Sequence, residues 1–107
     1  MKEIRNTLIP FPGFKAINLF GVLFVRTGAT MTEADYNHEA IHTAQMRELG
    51  YIPFYILYLL EWLYLWLTTS GTTKQAYFAV SFEKEAYGNE DNTQYLRNRP
   101  RFAQWKS

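Results

Sequence analysis

Residues 38–42 read HEAIH, and this short stretch holds both histidines of the 107-residue chain. On a helix, side chains four positions apart lie one above the other, about 6 Å apart, so His38 and His42 would direct their imidazoles at one point. Two imidazole nitrogens at one point can bind a zinc ion. Glu39 lies at the edge of the same face, where its carboxylate can reach a metal-bound water without binding the metal itself. This is the arrangement that the HExxH motif describes.

Zinc held in this way lowers the pKa of a bound water to about 7, so that the water can attack a carbonyl near neutral pH. Glu39 would take the proton of that water as general base and later deliver it to the leaving amine. The motif therefore predicts one zinc ion and hydrolysis of a peptide bond. The alternative is two histidines on a partly exposed helix face without a metal, although HExxH arises by chance in only roughly one of a few hundred chains of this length.

A third metal ligand has to be a carboxylate, because the chain has no third histidine and no cysteine. The stretch SFEKEAYGNE offers Glu83 and Glu85, and only one can face the metal, since positions two apart on a helix diverge by about 200°. Small residues on the side of Glu83 would let two helices approach closely: Ala76, Ala79 and Ala86. This favours Glu83, leaves Glu85 open, and makes Glu61 a weaker candidate because it lies within an apolar segment.

The motif lies in the middle of a helix whose two ends are marked in the sequence. Thr30 and Thr32 are both candidate N-caps, since each is followed three residues later by an acidic residue, and Gly50 supplies the C-terminal stop. We therefore expect a helix from about Glu33 to Leu49. Gln45 lies on its metal-facing stripe, where the amide either donates a hydrogen bond to a ligand or is solvated, and both alternatives stay open.

The elements around this helix define the expected fold. Residues 14–26 form an apolar run rich in β-branched and aromatic residues, which predicts a strand with a kink at Gly21. Three further helical stretches are predicted: Pro53 to Thr68, about Lys74 to Tyr87 with an alternative restart at Ser81, and about Thr93 to Asn98. The expected class is α+β and mainly α, in a single domain over residues 1–107. One or more N-terminal strands precede three or four helices, and the HExxH helix packs on a later Glu-bearing helix.

Charge and composition indicate which kinds of partner and which cellular location to expect. A net charge of +1 gives no general attraction to nucleic acid, and we expect no nucleic-acid partner. Basic residues gather near the end of the chain, where we expect a solvated, salt-bridging tail: Arg97, Arg99, Arg101 and Lys106. The absence of cysteine is compatible with the cytoplasm, which is the expected location. The first 18 residues lack the apolar core of a signal peptide and contain Pro10 and Pro12.

One strongly apolar segment, residues 51–67, reads YIPFYILYLLEWLYLWL and carries a single charge, Glu61. It is slightly shorter than the about 20 residues of a membrane-spanning helix. Three interpretations stay open: a central buried helix, a helix that lies on a membrane surface through its aromatic residues, and a membrane span. The segment is also a candidate contact between copies of the chain in a homo-oligomer, which would close an otherwise open site.

HEAIH, followed about forty residues later by EKEAY, resembles the pattern of the gluzincins, zinc metallopeptidases with HExxH and a downstream ExxA(D). Glu83 and Ala86 match the downstream Glu and Ala, so the resemblance implies a minimal zincin-like fold with His38, His42 and Glu83 as ligands. The family commonly has Asp after that Ala, which hydrogen-bonds a ligating histidine, and this chain has Tyr87 there. Most of the chain also resembles small bacterial HExxH proteins without a known substrate, through FKAINLFGVLFVR, NHEAIHTAQ, IPFYILYLLEW and FEKEAYGNEDNTQYLRNR.

The resemblance also implies how a substrate would be held. A peptide adds as an extra strand to an edge strand beside the zinc, and LFGVLFVR, residues 19–26, is the candidate strand. A donor for the developing oxyanion is needed as well, and four residues are candidates: Tyr87, Tyr95, Arg97 and Arg99. The alternative for these residues is structural, with tyrosines at the rim of the core and arginines paired with Glu90 or Asp91.

Two functions from different classes remain. The first is a minimal zinc-dependent peptidase that acts on a peptide or protein substrate. The second is a non-catalytic module that zinc stabilises and whose aromatic surface binds a partner or a membrane. Glu39 favours the first, because a purely structural site needs no acid–base group there. A membrane-associated helical protein without metal is a third interpretation.

Overall fold

The computed structural model describes residues 2–7, 15–69 and 71–105. Strands come first in the chain and helices follow, which confirms the expected α+β, mainly helical class. The elements are β1 Lys2–Asn6, β2 Ala16–Leu19, β3 Val22–Arg26, α1 Glu33–Leu49, α2 Ile52–Thr68, α3 Thr73–Ala79, α4 Ser81–Asn89, α5 Tyr95–Asn98 and a 3-10 turn at Ala103–Trp105. The HExxH helix is α1, and it packs on α4, the helix that carries Glu83 and Glu85.

The described strands form one sheet in the order β1-β3-β2, with β1 parallel and β2 antiparallel to β3. The single kinked strand predicted over residues 14–26 is wrong, because the chain reverses at Phe20 and Gly21 and makes a hairpin. Both turn residues have positive φ, 54° and 85°, as a two-residue turn between right-handed twisted strands requires. The sequence Phe-Gly lacks the Asn-Gly or Asp-Gly signal of such turns, and Phe14 lies outside the described residues.

Helix α1 begins and ends at the predicted residues because residues at both of its ends form the capping interactions that the sequence predicts. Thr32 Oγ1 accepts a hydrogen bond from Asp35 N at 3.1 Å, and Asp35 Oδ2 accepts one from Thr32 N at 2.9 Å. This capping box selects Thr32 rather than Thr30 as the N-cap. Gly50 ends the helix in the left-handed conformation, with φ 83°. The capped helix holds its metal-facing stripe toward the interior.

Helix α2 is covered on one face and exposed on the other. Phe54 is 3% exposed, whereas most of the leucines and isoleucines of the helix are more than one third exposed. A central helix buried on all sides is therefore excluded. Within the described ranges, no single helix has the length and apolar character to cross a membrane, and α1 and α2 meet those criteria only as a pair bent by 110°.

The predicted third helical stretch is two helices, because it restarts at Ser81. Val80 is fully buried and has an extended ψ of 133°, which separates α3 from α4. Glu61 reaches the start of α4, where its carboxylate accepts hydrogen bonds from Ser81 N at 3.1 Å and Ser81 Oγ at 2.7 Å. Glu61 therefore holds two helices together and lies outside the group of candidate metal ligands.

The described core lies where α1, α2 and α4 meet. Phe82 is fully buried, and its ring centroid lies 4.8 Å from that of Phe54. Met46 and Val80 complete this cluster. Burial of a side chain such as Phe82 contributes about 1.5–3 kcal/mol to stability. Because Phe82 directly precedes Glu83 in α4, this packing also fixes the position of the Glu83 carboxylate against α1.

Candidate metal centre

His38, His42 and Glu83 meet in the interior between α1 and α4. The Nε2 atoms of the two histidines lie 3.1 Å apart. Glu83 Oε1 lies 3.1 Å from His38 Nε2 and 3.0 Å from His42 Nε2. The three residues are 7%, 6% and 4% exposed. The structure thus brings together the three residues that the sequence analysis predicted as ligands, and they could hold a metal ion.

The protonation of the His42 ring follows from its neighbour Gln45. Gln45 Nε2 donates to Phe82 O at 3.0 Å and to Glu85 Oε1 at 2.9 Å, and both of these atoms are acceptors only. The Gln45 Oε1 atom must therefore face His42 Nδ1, which lies 2.8 Å away and donates to it. This leaves a lone pair on His42 Nε2. Gln45 is fully buried, which excludes the solvated alternative, and it accepts the bond rather than donating it.

The second histidine is oriented by Glu90. His38 Nδ1 lies 3.1 Å from Glu90 Oε1, which acts as the acceptor and leaves a lone pair on His38 Nε2. Of the two acidic residues offered as structural partners for the arginines, Glu90 thus pairs with His38 instead. Tyr87 packs edge-on against the His38 ring, with centroids 4.4 Å apart, and its hydroxyl bonds to Tyr77 instead of to a histidine. Glu90 therefore makes the histidine contact that the gluzincin pattern assigns to the Asp after Ala86.

The donor set fits a metal ion. Nε2 of His38, Nε2 of His42 and Oε1 of Glu83 converge, and each of the three atoms lies 3.0–3.1 Å from the other two. Two ligands of a tetrahedral zinc ion with bonds of about 2.0–2.1 Å lie about 3.3 Å apart, so only a small adjustment is needed. Three acceptors that face one another repel unless a cation lies between them. Either a proton or a metal ion can serve, and two imidazole nitrogens with one carboxylate oxygen suit several transition-metal ions, zinc among them.

Without a metal ion, a proton on His42 Nε2 supplies the positive charge in the cluster, and a bound metal ion would replace that proton. Burial by itself would lower the pKa of His42, but the hydrogen bond and the charge of Glu83 outweigh it and raise that pKa to about 9. Burial would raise the pKa of Glu83, yet hydrogen bonds from His38 and His42 hold it well below its usual value. Glu83 is therefore ionised, and its negative charge attracts a cation into the cluster.

No protein-family model, curated protein or solved structure matches this chain. The assignment of the site therefore rests on its own geometry and chemistry.

Glu39 lies beside the cluster and has a free carboxylate. None of the described residues donates a hydrogen bond to its oxygens, whereas its backbone carbonyl accepts from Asn18 Nδ2 at 3.0 Å. Burial raises the pKa of the Glu39 carboxyl above its usual value, against the opposing charges of His42 and His38. A carboxylate with a raised pKa and no fixed partner is suited to accept a proton and release it again.

A cavity of about 330 Å³ opens next to Glu39 and the histidines. Most of its walls come from β2, α1 and α2, with Tyr77 of α3 and Glu83 of α4 completing them, and the lining is mostly apolar. A second cavity of about 210 Å³ shares Glu39 and Tyr77 with the first. The acid–base candidate therefore lies between two openings that a substrate can occupy.

The edge strand beside the cluster is β2, so the predicted candidate strand is wrong. Most of LFGVLFVR is β3, which is central in the described sheet, while Ala16, Ile17 and Asn18 of β2 line the cavity. Arg26 N donates to Lys15 O at 2.9 Å, so Lys15 is a hydrogen-bonded position of the hairpin. Such positions alternate along an antiparallel strand, and the next ones are Ile17 and Leu19. The backbone groups of Ala16 and Asn18 therefore point away from β3, toward the outer edge.

The sequence analysis missed two tyrosines at the site, because neither of them belongs to a sequence motif. Tyr58 donates from its hydroxyl to Glu83 Oε2 at 2.7 Å, which leaves Oε1 for the two histidines. Tyr77 lines both cavities, and its hydroxyl lies 3.0 Å from that of Tyr87. Both tyrosines come from helices other than α1, so only their through-space positions identify them.

Glu85 does not face the two histidines directly, but lies in a buried hydrogen-bond network that Gln45 connects to His42. It accepts hydrogen bonds from Arg99 Nη2 at 3.0 Å and from Tyr95 at 2.7 Å. Arg99 also pairs with Glu48 at 3.0 Å, and its side chain is 6% exposed, so the expectation that it belongs to a solvated tail is wrong. Arg97 is exposed, and Lys106 lies outside the described residues. Of the four predicted oxyanion donors, Tyr95 and Arg99 are thus engaged away from the histidines.

Proposed function

We propose that this protein is a zinc-dependent peptidase with His38, His42 and Glu83 as ligands and Glu39 as general base. The observation that carries the proposal is the convergence of three ligand atoms, at an open cavity, beside the partly buried carboxylate of Glu39, to which none of the described residues donates a hydrogen bond. A site that only stabilises the fold gains nothing from this carboxylate, because even partial burial of a charged group without a hydrogen-bond donor costs free energy.

Each residue has a defined part in the reaction. A bound zinc ion would supply Lewis acidity that activates a water molecule and polarises a carbonyl. Glu39 accepts the proton of the attacking water and passes it to the leaving amine. Its raised pKa suits both transfers, because the protonated carboxyl is then less costly at neutral pH. Glu83 stays ionised and keeps its Oε1 toward the histidines through the bond from Tyr58 to Oε2.

The outer edge of β2 is the proposed docking strand for the peptide. An extended peptide could hydrogen-bond the outward backbone groups of Ala16, one residue from Ile17 on the cavity wall. The scissile carbonyl would then lie between β2 and α1, near Glu39. The apolar walls of the cavity suit a bulky apolar side chain of the substrate.

Tyr77 is the proposed donor to the developing oxyanion. Its hydroxyl and that of Tyr87 share one hydrogen bond, which uses one of the two hydroxyl protons and leaves the other free to donate. Burial raises the pKa of Tyr77, and the charge of Glu83 adds to that effect, so the phenol keeps its proton. Tyr77 is the member of the pair that lines both cavities.

The decisive experiment compares metal content and peptide cleavage of purified protein. We expect about one zinc ion per chain and cleavage of a peptide library by the wild type. Glu39→Gln should keep the zinc and lose cleavage, while Glu33→Gln, an exposed control in the first turn of the same helix, should keep both. Cleavage by Glu39→Gln equal to that of the wild type would identify a contaminating protease and contradict the proposal.

The second candidate function is a zinc-stabilised module without catalysis. It is favoured by the position of the cluster, because a metal there would join α1 to α4 within the interior. In that case the wild type would contain zinc and cleave no member of the library. Protein without stoichiometric metal would exclude both functions.

A further inference from the structure

The outward face of α2 is a continuous apolar surface. Nine large apolar side chains between Ile52 and Leu67 are 37–70% exposed. At 100° per residue these side chains cover about half of the circumference of the helix. The opposite half, which includes Phe54 and Tyr58, packs against the rest of the described chain.

This face carries no charge. The one charged residue of α2, Glu61, turns inward to the start of α4. Between residues 49 and 73 the chain contains no lysine, arginine or aspartate. A helix that lies on a membrane typically combines its apolar face with lysine or arginine, which bind anionic headgroups. The charge pattern of this segment therefore favours an apolar partner over a lipid surface.

The exposed area matches a protein interface. If a fully exposed large apolar side chain contributes about 200 Å², the exposed fractions of these nine residues amount to roughly 900 Å². The largest apolar patch on a typical monomer measures about 300–600 Å². Each partner in a standard protein interface buries about 800 Å². The patch is thus larger than the largest apolar patch of a typical monomer, and it matches the area that each partner buries in a stable dimer.

The centre of the face has the spacing of a helix pair. Ile52, Ile56, Leu59, Leu63 and Trp66 follow one another at intervals of four, three, four and three residues. Alternation of four and three is the pattern of the a and d positions in left-handed helix pairs, in which such side chains interdigitate. A surface with this repeat can pack against an identical copy, since a two-fold axis makes one surface complementary to itself.

We propose that α2 is the interface of a homodimer, in which the outward faces of two α2 helices pack against each other. The surface continues toward the candidate site through Phe20, which is 53% exposed and packs against Tyr55, with tilted rings whose centroids lie 5.2 Å apart. Tyr55 lines the larger cavity. The second copy therefore lies close to the mouth of that cavity and narrows it, whether or not the cavity serves a peptidase.

A cysteine substitution tests the contact directly, because the natural chain has no cysteine. Leu59 is the third of the five residues with the alternating spacing, which begin at Ile52 and end at Trp66. It therefore meets its own copy in either a parallel or an antiparallel pair of helices. The full-length Leu59→Cys variant should form a disulfide-linked dimer under mild oxidation. Leu96→Cys, on an exposed apolar position of α5, is the control and should stay uncrosslinked. Equal crosslinking of the two variants, or none in Leu59→Cys, overturns the proposal.

Mass measurements by light scattering provide the second arm. The wild type should have twice the monomer mass of 12.6 kDa. Leu63→Lys should be monomeric with unchanged helical circular dichroism, since the substitution enters the interface twice and should weaken the dimer by at least about a hundredfold. Leu96→Lys, equally exposed at 37%, should stay dimeric. A monomeric wild type overturns the proposal, and its flotation with phosphatidylcholine vesicles would assign the face to lipid instead.

Discussion

Gln45 Oε1 lies 2.8 Å from His42 Nδ1 and orients the ring of that histidine. The amide itself cannot flip, because its nitrogen donates to Phe82 O and to Glu85 Oε1. Glu85 is held in turn by Arg99. A chain of buried hydrogen bonds therefore joins the candidate metal centre to the C-terminal part of the fold, and His42 presents its Nε2 lone pair as a consequence.

Gln45→Met should weaken zinc binding by about 10–100-fold, because His42 would lose the contact that selects its tautomer. The volume of the side chain is nearly kept, so the effect should exceed the change in packing. Zinc affinity is measured by competition with a chromophoric chelator on protein whose circular dichroism is native. Arg47→Met, on the exposed side of the same helix, is the matched control, and equal affinity of the two variants would contradict the role of Gln45.

Glu90→Ala should lower zinc affinity by about tenfold or more, because His38 would lose the acceptor on its Nδ1. The neighbouring Asp91 is exposed, so Asp91→Ala removes a similar charge without touching the histidine. The same competition assay applies. A loss of affinity of equal size in both variants would mean that Glu90 acts only through its charge.

Glu83→Ala should change the zinc content of the protein, whereas Glu85→Ala should change its stability. Loss of Glu83 should abolish stoichiometric zinc in elemental analysis, because one of the three converging acceptors disappears. Loss of Glu85 should leave zinc bound but lower the free energy of unfolding by about 3 kcal/mol, because the buried Arg99 loses a charge partner. Denaturant unfolding measures the second effect. Zinc retained in Glu83→Ala and lost in Glu85→Ala would reverse the choice of ligand.

Tyr77→Phe should lower kcat/KM for a cleaved peptide by about a hundredfold, as expected for loss of a single oxyanion donor. Zinc content should stay unchanged, since the Tyr77 hydroxyl contacts none of the three ligands. Tyr64→Phe removes the same hydroxyl from an exposed position on α2 and should have no effect. Unchanged kcat/KM in Tyr77→Phe would exclude Tyr77 as the donor.

Thr32→Ala should lower the free energy of unfolding by about 1 kcal/mol, because the N–H of Asp35 loses its acceptor at the start of α1. Thr30→Ala changes the other residue with the spacing of an N-cap and should change that free energy by less than about 0.5 kcal/mol. Urea unfolding of both variants checks the difference. Equal losses would show that the capping box contributes nothing particular to α1.

Features that depend on neighbours along the chain could be predicted from the sequence. The bounds of α1 follow from Thr32, Asp35 and Gly50, all of which act within a few residues of the helix ends. The pairing of His38 with His42 follows from the pitch of that helix alone. The hairpin was missed because the turn at Phe20 and Gly21 is formed by residues without a turn signature inside an unbroken apolar run.

The choice of Glu83 shows where local reasoning and structure diverge. The sequence argument used Ala76 and Ala79 as if they shared a helix with Glu83, whereas the break at Val80 puts them on α3. Only Ala86, which is fully buried, supports that argument within α4. The carboxylate reaches the histidines because Phe82 packs into the core beside it, a contact between α4 and α2 that no local pattern encodes.

The sequence by itself determined the HExxH helix, the precedence of strand over helix along the chain, and the kinds of residue able to bind a metal. Tertiary packing decided which carboxylates face the histidines and which side of α2 stays exposed. Glu90, Tyr58 and Tyr77 contribute through contacts between elements, and such contacts depend on how the helices pack. Local chemistry specifies each helix, but the convergence of three lone pairs at one point is a property of the folded chain.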